Sequence, residues 1–178
     1  MTVTAELDRE HALRLRLEAL ATDYVHCIDD DRLEEWPDFF TEDGSYRVTS
    51  RENFDLGLPV SLIYCHGRGM MRDRISAMRV ANIFEPHTYC HLVSAMKLEE
   101  TDAGLPSPKR SSGFAQAGGH RTRSNFTVIR TMSDGAMSVF ACGRYLDHVV
   151  EQAGVLKYRE RTVILDSKRI DTLLIIPI

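Results

Sequence analysis

The last third of the chain, residues 125–178, constrains the fold more than any other stretch, because it reads as four consecutive strands joined by tight reversals. Phe126, Val128, Arg130 and Met132 fall on one face of the first strand, and Asp134-Gly135 supplies the residue pair that a type I′ hairpin turn favours. The second strand runs from Met137 to Val150 and reverses at Glu151 to Gly154 into a third, Val155 to Asp166. Ser167-Lys168-Arg169 then turns the chain into a fourth, Ile170 to Ile178. Arg144, His148, Arg159 and Arg161 interrupt faces that also carry Phe140, Leu146, Val163 and Leu165, as in an antiparallel sheet with one covered face and one partly open to water.

Upstream, Leu13, Leu17, Leu20, Tyr24 and Ile28 recur at spacings of three and four, which predicts an amphipathic helix over residues 5–28. Asp31 with Glu34 resembles a capping box, predicting a short second helix that carries Trp36, Phe39 and Phe40 inward and is limited by Pro37. Asp43-Gly44 reads as a turn, Ser45 to Thr49 as a strand, and Val60 to His66 as another strand beyond a polar loop. Gly67 and Gly69 break the chain, and Met71, Ile75 and Met78 then predict a helix over Met70 to Ala81, with Pro86 blocking its continuation. Thr88 to Leu98 returns to a strand. Residues 99–121, rich in Gly, Ser, Pro, Lys and Arg, exceed the roughly 12–15 residues at which structureless loops become uncommon, so this stretch is expected to be mobile or held by a partner. Helices first and a large antiparallel sheet afterwards predict one α+β domain over residues 1–178, with the sheet curved around the helices into a cone.

Several function classes are disfavoured. The net charge of −4 gives no electrostatic footprint for nucleic acid. Cys27, Cys65, Cys90 and Cys142 lack CxxC spacing and no secretory leader precedes the first helix, which points to the cytoplasm. The apolar run 173–178 is far shorter than the roughly 20 residues that span a bilayer. No phosphate loop, GxSxG elbow or dinucleotide fingerprint is present.

Three constellations could carry chemistry or recognition. His66, His87, Cys90 and His91 are ligand types that suit zinc or iron, but on a strand Cys90 points away from the face shared by His87 and His91. Tyr24, Asp43, Tyr46 and His91 could line a conical cavity, with a phenol donating to an oxyanion and a carboxylate or imidazole moving a proton. Against this, Tyr24 also reads as a core ring and Asp43 as a turn former. Arg68, Arg72, Arg74 and Arg79 exceed what Asp73 can neutralise locally, and Arg144, Arg159 and Arg161 recur on the sheet. Guanidinium groups suit carboxylates on a partner's surface. The last strand, apolar on both faces through Ile175 and Ile176, calls for cover on both, so a subunit interface is expected there.

The order of several motifs resembles one known family. Glu35-Trp36-Pro37-Asp38-Phe39-Phe40-Thr41-Glu42-Asp43-Gly44, then Ser61-Leu62-Ile63-Tyr64, Met71-Arg72-Asp73-Arg74-Ile75, Leu165-Asp166-Ser167 and Ile176-Pro177-Ile178 resemble the small (beta) subunit of aromatic-ring-hydroxylating dioxygenases. The likeness is greatest to the branch acting on aromatic acids such as benzoate, anthranilate and terephthalate. The resemblance implies a cone-shaped domain of the NTF2-like or cystatin-like type, assembled with a large alpha subunit as three of each. It also implies that the alpha subunit carries the Rieske 2Fe–2S cluster and the mononuclear iron, that electrons come from NAD(P)H through a separate reductase, and that the beta subunit is structural, with no cofactor of its own. Two other readings stay open: a free-standing isomerase or dehydratase of the same fold using Tyr24, Asp43 or His91, and a small-ligand-binding module.

Overall fold

A computed structural model of the chain describes residues 3–81, 85–99, 118–168 and 174–178. The opening helix, α1 (Val3–Asp29), buries Leu17, Ala21, Tyr24, Val25 and Ile28, so the three-and-four spacing marks its covered face. Its end differs from expectation. Asp31 adopts a left-handed φ of 58°, Asp31 N–H bonds the Ile28 carbonyl and Arg32 N–H bonds the Cys27 carbonyl. This is a Schellman closure of α1, and Asp31 therefore ends one helix and caps no second one. Only a single 3₁₀ turn, Trp36–Phe39, follows, with Pro37 in its first positions.

Strand β1 (Phe40–Ser50) runs straight through Asp43-Gly44, where a turn was expected. The register against its neighbour shifts between Phe40 and Ser45, so the pair forms a bulge. A Cβ on Gly44 would lie about 3 Å from the Thr41 and Tyr158 carbonyl oxygens, which explains the glycine. Ser50 accepts from Asn53 N–H and caps the short α2 (Arg51–Asp55), which the sequence reading did not anticipate. Then come β2 (Ile63–His66), α3 (Gly67–Val80), β3 (His87–Val93), β4 (Lys97–Glu99), β5 (His120–Met132), β6 (Met137–Gln152) and β7 (Val155–Leu165). The single strand expected over Thr88–Leu98 is thus two, separated at residues 94–96, and β5 begins at His120, well before Asn125.

The first hairpin turn corrects the sequence reading and the second falls inside its expected span. At Asp134-Gly135 only Gly135 has positive φ, Gly135 N–H bonds the Met132 carbonyl and Met132 N–H bonds the Ala136 carbonyl. That is a three-residue loop with a left-handed glycine, not a type I′ turn. The type I′ turn sits one hairpin later, where Gln152 pairs Val155 and both Ala153 (φ 51°) and Gly154 (φ 81°) are left-handed.

Seven strands form one sheet in the order β2-β1-β7-β6-β5-β3, with β4 on β5. The pairs are antiparallel except β1 with β7, which is parallel. Here the expected meander fails: β1 takes the place beside β7 that a fourth C-terminal strand would have occupied. Residues 174–178 are buried without forming a strand, and residues 169–173 of the expected strand lie outside the described residues. So do residues 100–117, most of the expected loop. The inner face of the sheet, against α1 and the 3₁₀ turn, carries Phe40, Tyr46, Val48, Phe126, Val128, Tyr145, Val149, Tyr158 and Val163, all buried.

Candidate functional site

The interior between α1 and the sheet is where this architecture could house chemistry, and its centre is an ion pair. Asp147 on β6 lies directly opposite Arg161 on β7, and the two meet bidentately, Nε to Oδ1 and Nη2 to Oδ2, each at 2.9 Å. Each side chain is 1% exposed. A bulge builds this arrangement: His148 pairs Glu160 and Val149 pairs Tyr158, leaving Arg159 as the extra residue. Without it, Tyr158 and Arg161 would fall on opposite faces; with it, both point inward. The rings of Tyr24, Tyr158 and Tyr145 then stand 4.0, 4.1 and 4.3 Å from the Arg161 guanidinium carbon.

Burial sets the protonation of the cluster. It pushes the phenols of Tyr24, Tyr46, Tyr145 and Tyr158 up, so all four are neutral hydroxyls at physiological pH. Burial also raises the Asp147 carboxyl, opposed by the Arg161 charge and its hydrogen bonds. The Asp147 carboxylate is not an available base, because both of its oxygens are held by Arg161.

The remaining volume is taken by residues 174–178. Tyr46 Oη donates to the Ile178 carbonyl at 2.9 Å and accepts from Ile178 N–H at 3.0 Å, while Tyr24 Oη reaches the same carbonyl at 3.4 Å. Arg74 Nη2 donates to the carbonyls of Leu174 at 2.7 Å and Ile175 at 3.0 Å. Tyr24 and Tyr46 are thus brought together, but on a backbone segment of the chain itself.

The other members of the expected acid–base set go elsewhere. Asp43 is half exposed, accepting from Thr41 Oγ1 at 2.9 Å and from Arg159 Nη2 at 3.1 Å. His91 is buried on β3, where Asp29 at the end of α1 holds it twice: Oδ2 accepts its backbone N–H at 2.8 Å and Oδ1 lies 2.5 Å from Nδ1. The other ring nitrogen, Nε2, is buried and has no hydrogen-bond partner among the described residues. A cleft of about 280 Å³ opens beside Asp29, between the ends of α1 and α3 and the start of β3, lined also by Arg79, His87 and Tyr89.

The metal-ligand types do not converge. His66 precedes α3, His87 Nδ1 lies 2.8 Å from the Glu85 carbonyl, Cys90 is exposed on the face opposite His91, and His91 is engaged by Asp29. Among the described residues no group of three or more His, Cys, Asp or Glu side chains gathers in metal-binding geometry.

The arginines expected to face a partner find carboxylates or carbonyls within the chain. Arg68 pairs with Asp38 and, at 3.4 Å, Glu42; Arg72 reaches Asp38 at 3.5 Å; Arg79 clasps Asp31 at 2.9 Å and Glu34 at 2.8 Å; Arg144 approaches Asp166 at 3.8 Å. Asp73, the expected local partner, is in none of these pairs. Ile175 and Ile176 are buried by the chain's own core, so the described part of the terminal segment needs no second subunit to cover it. Sequence reading missed Asp29 and Asp147. Simple hairpin counting would not have found the second, because Asp147 and Arg161 face each other only through the one-residue bulge at Arg159.

Comparison with known proteins places this geometry. The SnoaL-like domain family matches residues 9–162. The anthranilate 1,2-dioxygenase small subunit of Burkholderia cepacia is 40% identical over 156 residues, 87% of this chain and 88% of that one. The subunit beta 2 of the terminal oxygenase component of terephthalate 1,2-dioxygenase from Comamonas sp. is 38% identical over 164 residues, 92% of this chain and 97% of that one. A crystal structure from Novosphingobium aromaticivorans, assigned as the beta subunit of an aromatic-ring-hydroxylating dioxygenase, superposes with a TM-score of 0.79 at 32% identity, covering 95% of this chain and 99% of its own. The chain therefore belongs to the SnoaL-like family and, within it, to the small (beta) subunits of aromatic-ring-hydroxylating dioxygenases of the anthranilate and terephthalate type.

Proposed function

We propose that this chain is the non-catalytic beta subunit of a dioxygenase that adds both atoms of O₂ to the ring of an aromatic acid. It docks on a large alpha subunit, three of each, and the alpha subunit holds the Rieske cluster and the mononuclear iron. The observation that carries this reading is the filled interior: the Arg161–Asp147 pair, its three tyrosines and residues 174–178 occupy the space that a substrate would need. Arg68, Arg72 and Arg144 retain exposure alongside their internal pairs and are candidates for the rim of a subunit contact. The test is co-expression with the cognate large subunit. Iron, labile sulfide and turnover should all travel with the large subunit and require the small one only for assembly. Turnover of an aromatic acid by the small subunit alone overturns the reading.

One observation favours a second reading, an acid–base enzyme. The Asp29–His91 pair orients an imidazole as a general base would be oriented. A colourless preparation with isomerase or dehydratase activity lost in His91→Asn supports that reading in place of the first.

A further inference from the structure

The segment between α2 and β2 carries a feature that neither the filled interior nor the internal arginine pairs explain. Leu56, Leu58, Val60, Leu62 and Tyr64 are each 40–66% exposed, at every second position, and the ten residues 56–65 include no charge. The segment is not slack. Arg47 Nε donates to Ser61 Oγ at 2.8 Å and its Nη2 to the Leu58 carbonyl at 2.9 Å. Thr49 Oγ1 donates to the Val60 carbonyl at 2.8 Å, and Leu62 N–H to the Val48 carbonyl at 2.8 Å. A ridge is thus fixed along the flank of β1 and runs into β2, the last strand on its side of the sheet.

Edge strands left open to water are usually guarded by shortness, charges, prolines or bulges; Ile63–His66 is short, at four residues, but has no charge, proline or bulge before His66. Exposed apolar side chains scattered singly are ordinary, whereas five on one nine-residue segment form a continuous patch of the kind that marks an interaction surface. The stapling by Arg47 and Thr49 lowers the ordering cost of docking, since the segment is already held in place before a partner arrives.

We infer that the ridge Leu56–Tyr64 with the free edge of β2 is the surface on which the large subunit seats, an apolar strand or groove of that subunit covering it. This rests on the reading of the chain as a beta subunit, and its relatives are named as a small subunit and as subunit beta of a terminal oxygenase component. The interface therefore centres on the α2–β2 segment.

The test is the double substitution Val60→Glu with Leu62→Glu, co-expressed with the cognate large subunit. Both side chains are over half exposed, so the free variant should melt with the wild-type chain. Affinity for the large subunit should fall by about 30-fold or more, the size associated with losing a central anchor. If wild type and variant co-purify equally well with the large subunit, the inference is overturned and the beta-subunit reading stands. If wild type does not bind the large subunit, both fall. If the variant binds the large subunit normally but loses self-association that the wild type shows, the occupant is a second copy and the inference is overturned in that form.

Discussion

The interior of the molecule and its α2–β2 flank use opposite chemistry. Inside, a charge pair is sealed among tyrosines and closed by backbone carbonyls accepting from Arg74, Tyr24 and Tyr46. On the flank, uncharged side chains are held outward by polar staples from β1. Polar groups stabilise the fold when turned inward and paired; apolar groups turned outward await a partner. Substitutions inside should therefore change stability and leave partner affinity alone, and substitutions on the ridge should do the reverse.

The largest effect that sharpens this contrast is expected at Arg161→Met. It leaves the Asp147 carboxylate buried and unpaired, a change that typically costs about 3–5 kcal/mol. Urea unfolding should show it, and pairing the change with Asp147→Leu should recover much of the loss. A double variant no better than the single would mean that the tyrosine cage, not the unpaired charge, sets the cost.

Arg74→Ala comes next. It removes the donor shared by two tail carbonyls, a charged hydrogen-bonding group typically worth about 1.5–3 kcal/mol. Hydrogen exchange should rise at residues 174–178 while binding to the large subunit stays unchanged. Weakened binding with unchanged exchange would return Arg74 to the interface and break the contrast.

Two measurements address the imidazoles. His91→Asn should leave turnover of the reconstituted complex within a small factor, whereas a proton-transfer group contributes about 10²–10⁴-fold. His148 is held below its ordinary range by burial and by Arg121, so the unfolded chain takes up the proton more readily. Stability is then greatest above the unfolded value of about 6.5 and declines as pH falls from there toward the folded value. His148→Gln should flatten that decline in urea midpoints between neutral and mildly acidic pH.

The smallest effect lies far from both regions. Ala153 is left-handed in the β6–β7 turn, a conformation costing an ordinary residue roughly 1 kcal/mol that Asn tolerates better. Ala153→Asn should raise the thermal midpoint slightly and leave binding untouched.

Much of this was legible in the residues. The apolar stripe of α1, the buried face of α3 and the two long hairpins follow from periodicity, because burial on one side imposes it. Turn geometry was less legible. The type I′ turn expected at Asp134-Gly135 occurs at Ala153-Gly154, because loop length, set by strand register, decides which residues need positive φ. The interior site was half visible: Tyr24, Tyr46 and Arg161 stood out, but the bulge at Arg159 that turns Arg161 inward cannot be read from alternation. The internal pairing of the α3 arginines was hidden for a related reason. Their partners, Asp31, Glu34, Asp38 and the 174–178 carbonyls, are remote in sequence, so local charge counting could not find them.

The parallel pairing of β1 with β7 bears on how the protein is made. Val48 lies beside Val163, so the middle of the sheet cannot close until nearly the whole chain has been synthesised. Loop closure of that span has to precede the contacts that reward it, which predicts slow folding for a protein of this size. Until then β1 presents an open strand edge to other nascent chains. Yield in a heterologous host should accordingly depend more on chaperone supply and growth temperature than on the stability of the finished subunit.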